Sequence, residues 1–304
     1  EISSWVDLQE AKIKEQLENH VLPAFLKKTS WFNRYQRKIQ SYEIKDFVDT
    51  THEGESSAMI LLEVTFAEGL PERYLIGSVY IPAYKTDAID NMEEWAIISK
   101  LHLEKESGYL MSSEYSNTYM TRFFEHFLQK KEIRNGRLEA SFKSKVDLSK
   151  EWDQELHTPR IINTIGYNTT VYYGQDFVIK LYRQVDDVTN PDVEITRFLS
   201  EQTNFDQVGQ FLGAAYYYDQ KGEERPFAML QKFIPNQGTA WNYLNQEVKG
   251  FYDKLSIHLS QSASSSFANK VMARQELKSD WDELLDGDLI DQVKLLGVRT
   301  AQLH

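Results

Sequence analysis

One lysine and one glutamate in the second half of the chain are placed so that they could form a functional pair. Lys180 lies within the otherwise apolar run Phe177–Tyr182, which predicts a buried strand. A lysine in such a strand needs a partner of opposite charge if it is buried. Glu194 follows in a segment whose Asn190 and Pro191 are typical of a helix cap and first turn. The sequence therefore predicts either an ion pair between strand and helix, or an edge-strand lysine and a solvated glutamate.

If that pair forms, its chemistry is the gripping of nucleotide phosphates, because kinase N-lobes carry the same strand lysine and helix glutamate. The residues before it predict two strands, 161–165 and 171–173, and a hairpin turn at 174–176. The turn between those strands, 166–170, could present backbone N–H groups and hydroxyls to a phosphate chain. It lacks the glycine-rich motifs of protein kinases and of P-loop enzymes, and most turns of this kind are only turns.

Composition limits the classes of protein to which the chain can belong. Its 304 residues can form two domains, and 41% hydrophobic with 26% charged residues is ordinary for a globular protein. The net charge of −12 argues against nucleic acid or an anionic membrane surface as a partner. No apolar run approaches the ~20 residues of a membrane span. The absence of cysteine excludes disulfides and is compatible with the cytoplasmic location that we expect.

Residues 1–148 predict an α+β module in which helices flank several antiparallel strands. The strand-like runs are 40–49, 58–66, 73–82, 95–103, 109–113 and 137–142. A helix is expected at the N-terminus, kinked or restarted at Pro23, and another after Asn117. The histidines of this module are scattered, so that a structural or solvated role is expected for each.

Rising charge and a lapse of the apolar pattern around 147–159 predict a domain boundary there. Residues 149–236 then predict five strands with one helix inserted after the third. The strand 227–233 would lie where the hinge of a kinase meets the adenine. Residues 237–304 predict helices, with apolar stripes in 241–259 and 289–303.

Four segments together resemble bacterial maltokinase, the kinase often fused behind trehalose synthase. They are 168–171, 178–183, 190–194 and 235–241, which read NTTV, VIKLYR, NPDVE and PNQGTAW. Residues 22–26 together with 31–32 are similar to the start of that family's N-terminal cap, and 296–304 resemble a helix just before its catalytic loop. The resemblance spans nearly the whole chain, and the combination is more specific than any single motif.

The resemblance implies a cystatin-like antiparallel-sheet cap domain, a protein-kinase-like N-lobe and the first helices of a helical C-lobe. It also implies an ATP- and Mg²⁺-dependent reaction in which maltose receives the γ-phosphoryl group at its anomeric hydroxyl. The product, maltose 1-phosphate, would serve glycogen and α-glucan synthesis. A fused or associated trehalose synthase is the implied protein partner.

The same resemblance assigns roles to single residues. Lys180 would hold the α- and β-phosphates, and Glu194 would position Lys180. Residues 231–234 would meet the adenine through backbone groups. The remaining implied contacts to the nucleotide are Asn168, Thr169 and Thr170 over the phosphates, and Gln231 and Phe233 beside the adenine.

The largest departure from the family is that its catalytic Asp and metal ligands should follow His304. Tyr167, Thr170 and Thr239 also differ from the residues usual in the family. Because phosphoryl transfer depends on Mg²⁺ and an oriented acceptor, we expect the chain to be a fragment that is inactive alone.

Two other functions fit parts of the sequence. An aminoglycoside- or choline-kinase-like enzyme would share the lysine–glutamate pair, but not the segment 235–241 or the long cap. Alternatively, residues 1–148 could be a non-catalytic docking module that tethers the kinase to a synthase or to a second chain.

Overall fold

The computed structural model describes residues 2–32, 37–88, 94–104, 106–134, 139–162, 168–185, 189–219, 222–261 and 287–303. The chain divides into two compact units, Glu1–Ile234 and Pro235–His304. The first contains two antiparallel sheets with helices, so the α+β expectation is confirmed. The second is helical where it is described.

The N-terminal segment contains two helical stretches separated by Glu10, whose backbone is extended. A 3₁₀ turn at Trp5–Gln9 leads to α1 (Ala11–Gln16), a π-helical turn at Leu17–Val21, and α2 (Leu22–Lys28). The restart of the α-helix at Leu22 fits the interruption expected at Pro23, which has no N–H to donate to the preceding turn.

The first sheet contains five strands in the order β1-β2-β3-β5-β4, and every neighbouring pair is antiparallel. These strands are β1 (Ile39–Asp49), β2 (Ser57–Phe66), β3 (Glu72–Pro82), β4 (Ile97–Leu103) and β5 (Glu106–Ser112). All five were predicted within a few residues. Buried side chains of the N-terminal helices, among them Trp5, Leu22 and Phe25, share one core with this sheet.

Helix α3 (Asn117–Gln129) follows, and its first turn is capped by Ser116, whose hydroxyl accepts a hydrogen bond from the N–H of Tyr119 (3.1 Å). Its apolar side recurs at the helical spacing and includes Phe123, Phe124 and Phe127, all buried. Two strands come next, β6 (Glu132–Arg134) and β7 (Glu139–Ser144).

The second sheet has seven strands in the order β6-β7-β11-β12-β10-β9-β8. Its remaining members are β8 (Pro159–Ile162), β9 (Asn168–Tyr173), β10 (Phe177–Tyr182), β11 (Phe211–Tyr218) and β12 (Glu224–Lys232), with α4 (Pro191–Gln202) between β10 and β11. The five predicted strands and their inserted helix are therefore present. The sheet also takes in β6 and β7, which lie before residue 148, so the boundary expected there falls within one continuous sheet.

Helices from different parts of the sequence cover the two faces of this sheet. On one face, α3 packs its phenylalanines against inward-facing residues of β9 and β10 such as Tyr173, Phe177 and Ile179. On the other, Val193 of α4 packs against Tyr182 and other side chains of that face. The alternation of side chains along each strand thus assigns the residues of β9 and β10 to one face of the sheet or the other.

The second unit contains α5 (Ala240–Gln261) and α6 (Gly287–Leu303), which confirms the two expected helices. Both helices expose large apolar side chains, including Trp241, Tyr252 and Leu296. The serine-rich segment at 262–266 lies outside the described residues. None of the helices in the described part of the chain is long and apolar enough to span a membrane.

Candidate functional site

Lys180 contacts a carboxylate of the following helix, but that carboxylate belongs to Asp192. Its Nζ lies 3.0 Å from Oδ2 and 3.2 Å from Oδ1 of Asp192. The hydroxyl of Tyr182 donates to the same Oδ2 at 2.9 Å. Burial, followed by the nearby Asp192 charge, raises the pKa of Tyr182, so this phenol stays protonated and remains a donor. The Asp192 carboxylate of α4 thus binds two side chains of β10, those of Lys180 and Tyr182.

This ion pair is open to solvent on one side. The side chains of Lys180 and Asp192 are 30% and 37% exposed. A cation held in that way is positioned by its partner and still accessible to a second anion. The geometry suits an ammonium that binds an anionic ligand better than one that serves only the core.

The prediction that Glu194 would hold Lys180 is wrong. The Asn190 side chain caps the helix by accepting from the N–H of Asp192 (3.0 Å), which fixes Asp192 in the first turn facing β10. Residues two apart on a helix do not share a face, and Glu194 is exposed. The available signal was Leu199, a buried residue that lies seven positions after Asp192 and therefore on the same side of the helix.

Asn168, Thr169 and Thr170 form the start of β9 and not a turn. Thr170 lies opposite Lys180 and shares its face, whereas Thr169 lies opposite Leu181 and points to the other face. The Thr169 hydroxyl accepts a hydrogen bond there from Nε of Arg183 (3.1 Å). Of the predicted hydroxyls, only that of Thr170 is thus on the side of Lys180. Gly166 and Tyr167 lie outside the described residues.

The end of β12 carries the two residues predicted to lie beside the adenine. Gln231 is opposite Val178, so these two side chains and the Lys180 side chain lie on one face of the sheet. The N–H of Phe233 donates to the carbonyl of Asp176 at 2.8 Å, which removes it as a backbone donor to adenine. The Gln231 Oε1 is buried without a hydrogen-bond partner among the described residues.

Sequence reasoning missed a second ion pair, on the opposite face of the sheet. Arg183 pairs with Glu114, and both side chains are almost completely buried. Glu114 also accepts from the Ser112 hydroxyl (2.7 Å), and the Arg183 guanidinium lies 4.7 Å from the centre of the Trp31 ring. No local spacing connects these residues, so only the folded chain reveals the pair.

His126 is buried among aromatic rings of α3 and β7, where its ring contacts that of Phe142 edge to face at 5.0 Å. Burial, together with the charges of Lys131 and Arg122, lowers the pKa of His126 to about 3. The residue is therefore a neutral core side chain, as its scattered position in the sequence suggested. In the described residues, no group of three or more His, Asp or Glu is placed to hold a metal ion.

No family model matches the chain. Solved structures that resemble it include a glucosamine kinase in complex with glucosamine, ADP and inorganic phosphate, with a TM-score of 0.42, 11% identity, and coverage of 72% of this chain and 41% of that chain. Crystal form A of glucosamine kinase gives a TM-score of 0.38 at 12% identity over 65% of this chain and 36% of that one. The chain thus spans about two fifths of these structures. Likeness at this level does not establish the chemistry of the chain.

Proposed function

We propose that the seven-stranded sheet and α4 form the nucleotide-binding lobe of an ATP-dependent phosphotransferase. The observation that carries the proposal is the partly exposed Lys180 ammonium held by Asp192 of α4. Further support comes from topology, since Lys180 lies on β10, an interior strand of the run β8-β9-β10-β12-β11, and α4 follows that strand in the sequence. A phosphate-binding lysine works as a positioned point charge, which is what this pair supplies.

In this proposal the ligand lies on the face of the sheet that carries Lys180. Lys180 would hold the α- and β-phosphates, and Asp192 and Tyr182 would keep its ammonium in place. Thr170 would lie beside the phosphates, since it is the direct cross-strand neighbour of Lys180. Asn168, opposite Tyr182, is on the same face by the alternation of β9.

The adenine would lie against the apolar surface of Val178. The Tyr172 and Phe233 rings flank that region, in contact with each other at 5.3 Å. The side-chain amide of Gln231, whose Oε1 has no described partner, is a candidate to read the amino edge of the base. Mg²⁺ would neutralise the phosphate oxygens, and its ligands are not assigned to this chain.

Maltose is the acceptor that we propose, giving maltose 1-phosphate for α-glucan synthesis. The support for this finer assignment is the resemblance of 168–171, 178–183, 190–194 and 235–241 to maltokinase. A cystatin-like cap, a cytoplasmic location, association with trehalose synthase and a lack of turnover by this chain alone belong to the same proposal.

Calorimetry with Mg-ATP on the 304-residue chain tests the nucleotide site. We expect saturable binding that Lys180→Met weakens at least tenfold, or about 1.4 kcal/mol. Lys232→Met is the matched control, because Lys232 lies in the same sheet and contacts the Phe177 ring (4.9 Å) on the opposite face. Equal losses in the two variants would reject the assignment of Lys180.

The acceptor needs a separate experiment. A longer protein that carries this chain together with the following part of its parent sequence should phosphorylate maltose in preference to glucosamine, choline and an aminoglycoside. Preference for choline or the aminoglycoside would support the phosphotransferase proposal but reject maltose as the acceptor. Absence of any phosphorylation would reject both the phosphotransferase proposal and maltose as the acceptor.

A further inference from the structure

A cavity of about 280 Å³ lies where the N-terminal helices meet the outer strands of the seven-stranded sheet, and its lining does not include Lys180. The lining comes from segments far apart in the sequence: the end of α2, Trp95, the end of β5 with the residues after it, and the β8–β9 edge with Arg183. Small-molecule sites have volumes of roughly 300–1,000 Å³. This cavity is at the lower limit, so it would take a ligand of one small ring and not a nucleotide.

The polar part of the lining is prepared for hydrogen bonds of both kinds. Glu114 and Arg183 are only 4% and 8% exposed, and each is fixed by other contacts, Glu114 by the Ser112 hydroxyl and Arg183 by Thr169. A carboxylate only accepts hydrogen bonds and a guanidinium only donates them, whereas a hydroxyl does both. Adjacent acceptor and donor groups therefore match neighbouring hydroxyls on one ligand.

The aromatic part of the lining offers a flat apolar surface. Trp95 is 40% exposed, and its Nε1 donates to the hydroxyl of Tyr115 at 3.1 Å, which holds the indole in one orientation. An indole of this kind stacks against the apolar face of a ring whose edge is polar. Trp31 is already covered by the Arg183 guanidinium, so Trp95 is the ring available to a ligand.

The charges of the lining are balanced. Arg183 is paired with Glu114, and Lys28 contacts Glu94 at 3.3 Å. Among the described residues of the lining, the two cations, Lys28 and Arg183, each contact a carboxylate, so these residues do not favour an anionic ligand. A neutral ligand enters such a site without leaving a buried charge unpaired.

We propose that this cavity binds a neutral, polyhydroxylated ring the size of a single sugar. Trp95 stacks on its apolar face, and Glu114 and Arg183 bind its hydroxyls. Lys180 does not line this cavity, and Thr169 and Arg183, which do, lie on the opposite side of the sheet. Asn168, at the start of β9, borders both sites. The proposal does not depend on the phosphotransferase assignment.

Calorimetry of the 304-residue chain with D-glucose tests the proposal, with inorganic phosphate as the anionic probe. We expect saturable binding of D-glucose, at least tenfold weaker in Trp95→Ala, and no saturable binding of phosphate in this cavity. Trp241→Ala is the matched control, since Trp241 is 74% exposed in the second unit. Its affinity for D-glucose should equal that of the wild type.

Tyr115→Phe provides a second variant if Trp95→Ala does not fold. It removes the hydrogen bond that orients Trp95 and keeps the ring, so a loss of several-fold in D-glucose affinity is expected. Absence of saturable D-glucose binding would overturn the proposal. So would D-glucose affinity that Trp95→Ala or Tyr115→Phe leaves unchanged, or phosphate binding that Trp95→Ala abolishes.

Discussion

On one face of the seven-stranded sheet, α3 packs three phenylalanines into a core in which even the ion pair of Arg183 and Glu114 is buried. On the other face, α4 contributes the buried Val193 and leaves the ion pair of Lys180 and Asp192 partly in water. Both ion pairs involve β10 or the residue that follows it. The closed face, on the α3 side, is therefore mainly packed core, whereas the open face, on the α4 side, keeps the ammonium of Lys180 partly exposed.

Removing a ring from the closed face should have the largest effect. Phe124 is fully buried and its ring stacks on Trp152 at 4.1 Å. We expect Phe124→Ala to lower the free energy of unfolding by about 3–5 kcal/mol, through lost burial and the cavity left behind. Urea denaturation measures it. Phe198→Ala on the exposed side of α4 is the control and should cost less than about 0.5 kcal/mol.

Breaking the buried ion pair should lower the free energy of unfolding slightly less than Phe124→Ala does. In Arg183→Met the Glu114 carboxylate is left buried without its cation, and a loss of about 3 kcal/mol is expected in the same urea assay. The double variant Arg183→Met, Glu114→Leu should recover most of that loss, because no buried charge then remains. If the double variant is no more stable than Arg183→Met, the loss of stability comes from lost packing and not from the unpaired charge of Glu114.

Acid should destabilise the closed face through His126. Its pKa in the folded chain, about 3, lies below the ordinary value of 6.5, so the folded state binds fewer protons than the unfolded state. Above pH 6.5 His126 is neutral in both states and does not lower the free energy of unfolding. As the pH falls from 6.5 toward 3, its protonation in the unfolded state lowers that free energy by up to about 1.4 kcal/mol per pH unit.

Replacement of His126 by leucine should remove this contribution to the pH dependence of unfolding. His20→Gln is the control, because His20 is exposed and its replacement should leave the dependence as it is in the wild type. A His126→Leu variant with the wild-type dependence between pH 6.5 and 3 would assign the acid sensitivity to other groups.

The smallest effect on stability is expected on the open face. Partly exposed ion pairs contribute at most about 1 kcal/mol, so Lys180→Met should unfold within about 1 kcal/mol of the wild type. Thermal or urea unfolding checks this. A loss as large as that of Arg183→Met would mean that Lys180 is a structural residue, and the contrast between the faces would fail.

Much of the fold could be predicted because its signals are local. Apolar, strand-like runs marked β1 to β3 and β9 to β12, and Asn190 with Pro191 marked the start of α4. The membership of β6 and β7 in the second sheet could not be predicted, because strand pairing across the chain leaves no periodic signal.

The candidate site was predicted less completely than the fold. Lys180 and the existence of a helix partner followed from the sequence, but the choice between Asp192 and Glu194 depends on the rotation of α4 about its axis. The pair of Arg183 and Glu114 depends on a contact between segments that are remote in sequence. Which of Thr169 and Thr170 faces Lys180 depends on the register of β9 against β10, which the hairpin turn between them sets.

The most direct test of the account compares the two carboxylates of α4 by Mg-ATP calorimetry. If Asp192 positions the lysine that grips the nucleotide, Asp192→Asn should weaken Mg-ATP binding several-fold, and Glu194→Gln should bind as the wild type does. Wild-type affinity in Asp192→Asn with a loss in Glu194→Gln, or no binding of Mg-ATP by the wild-type chain, would contradict it.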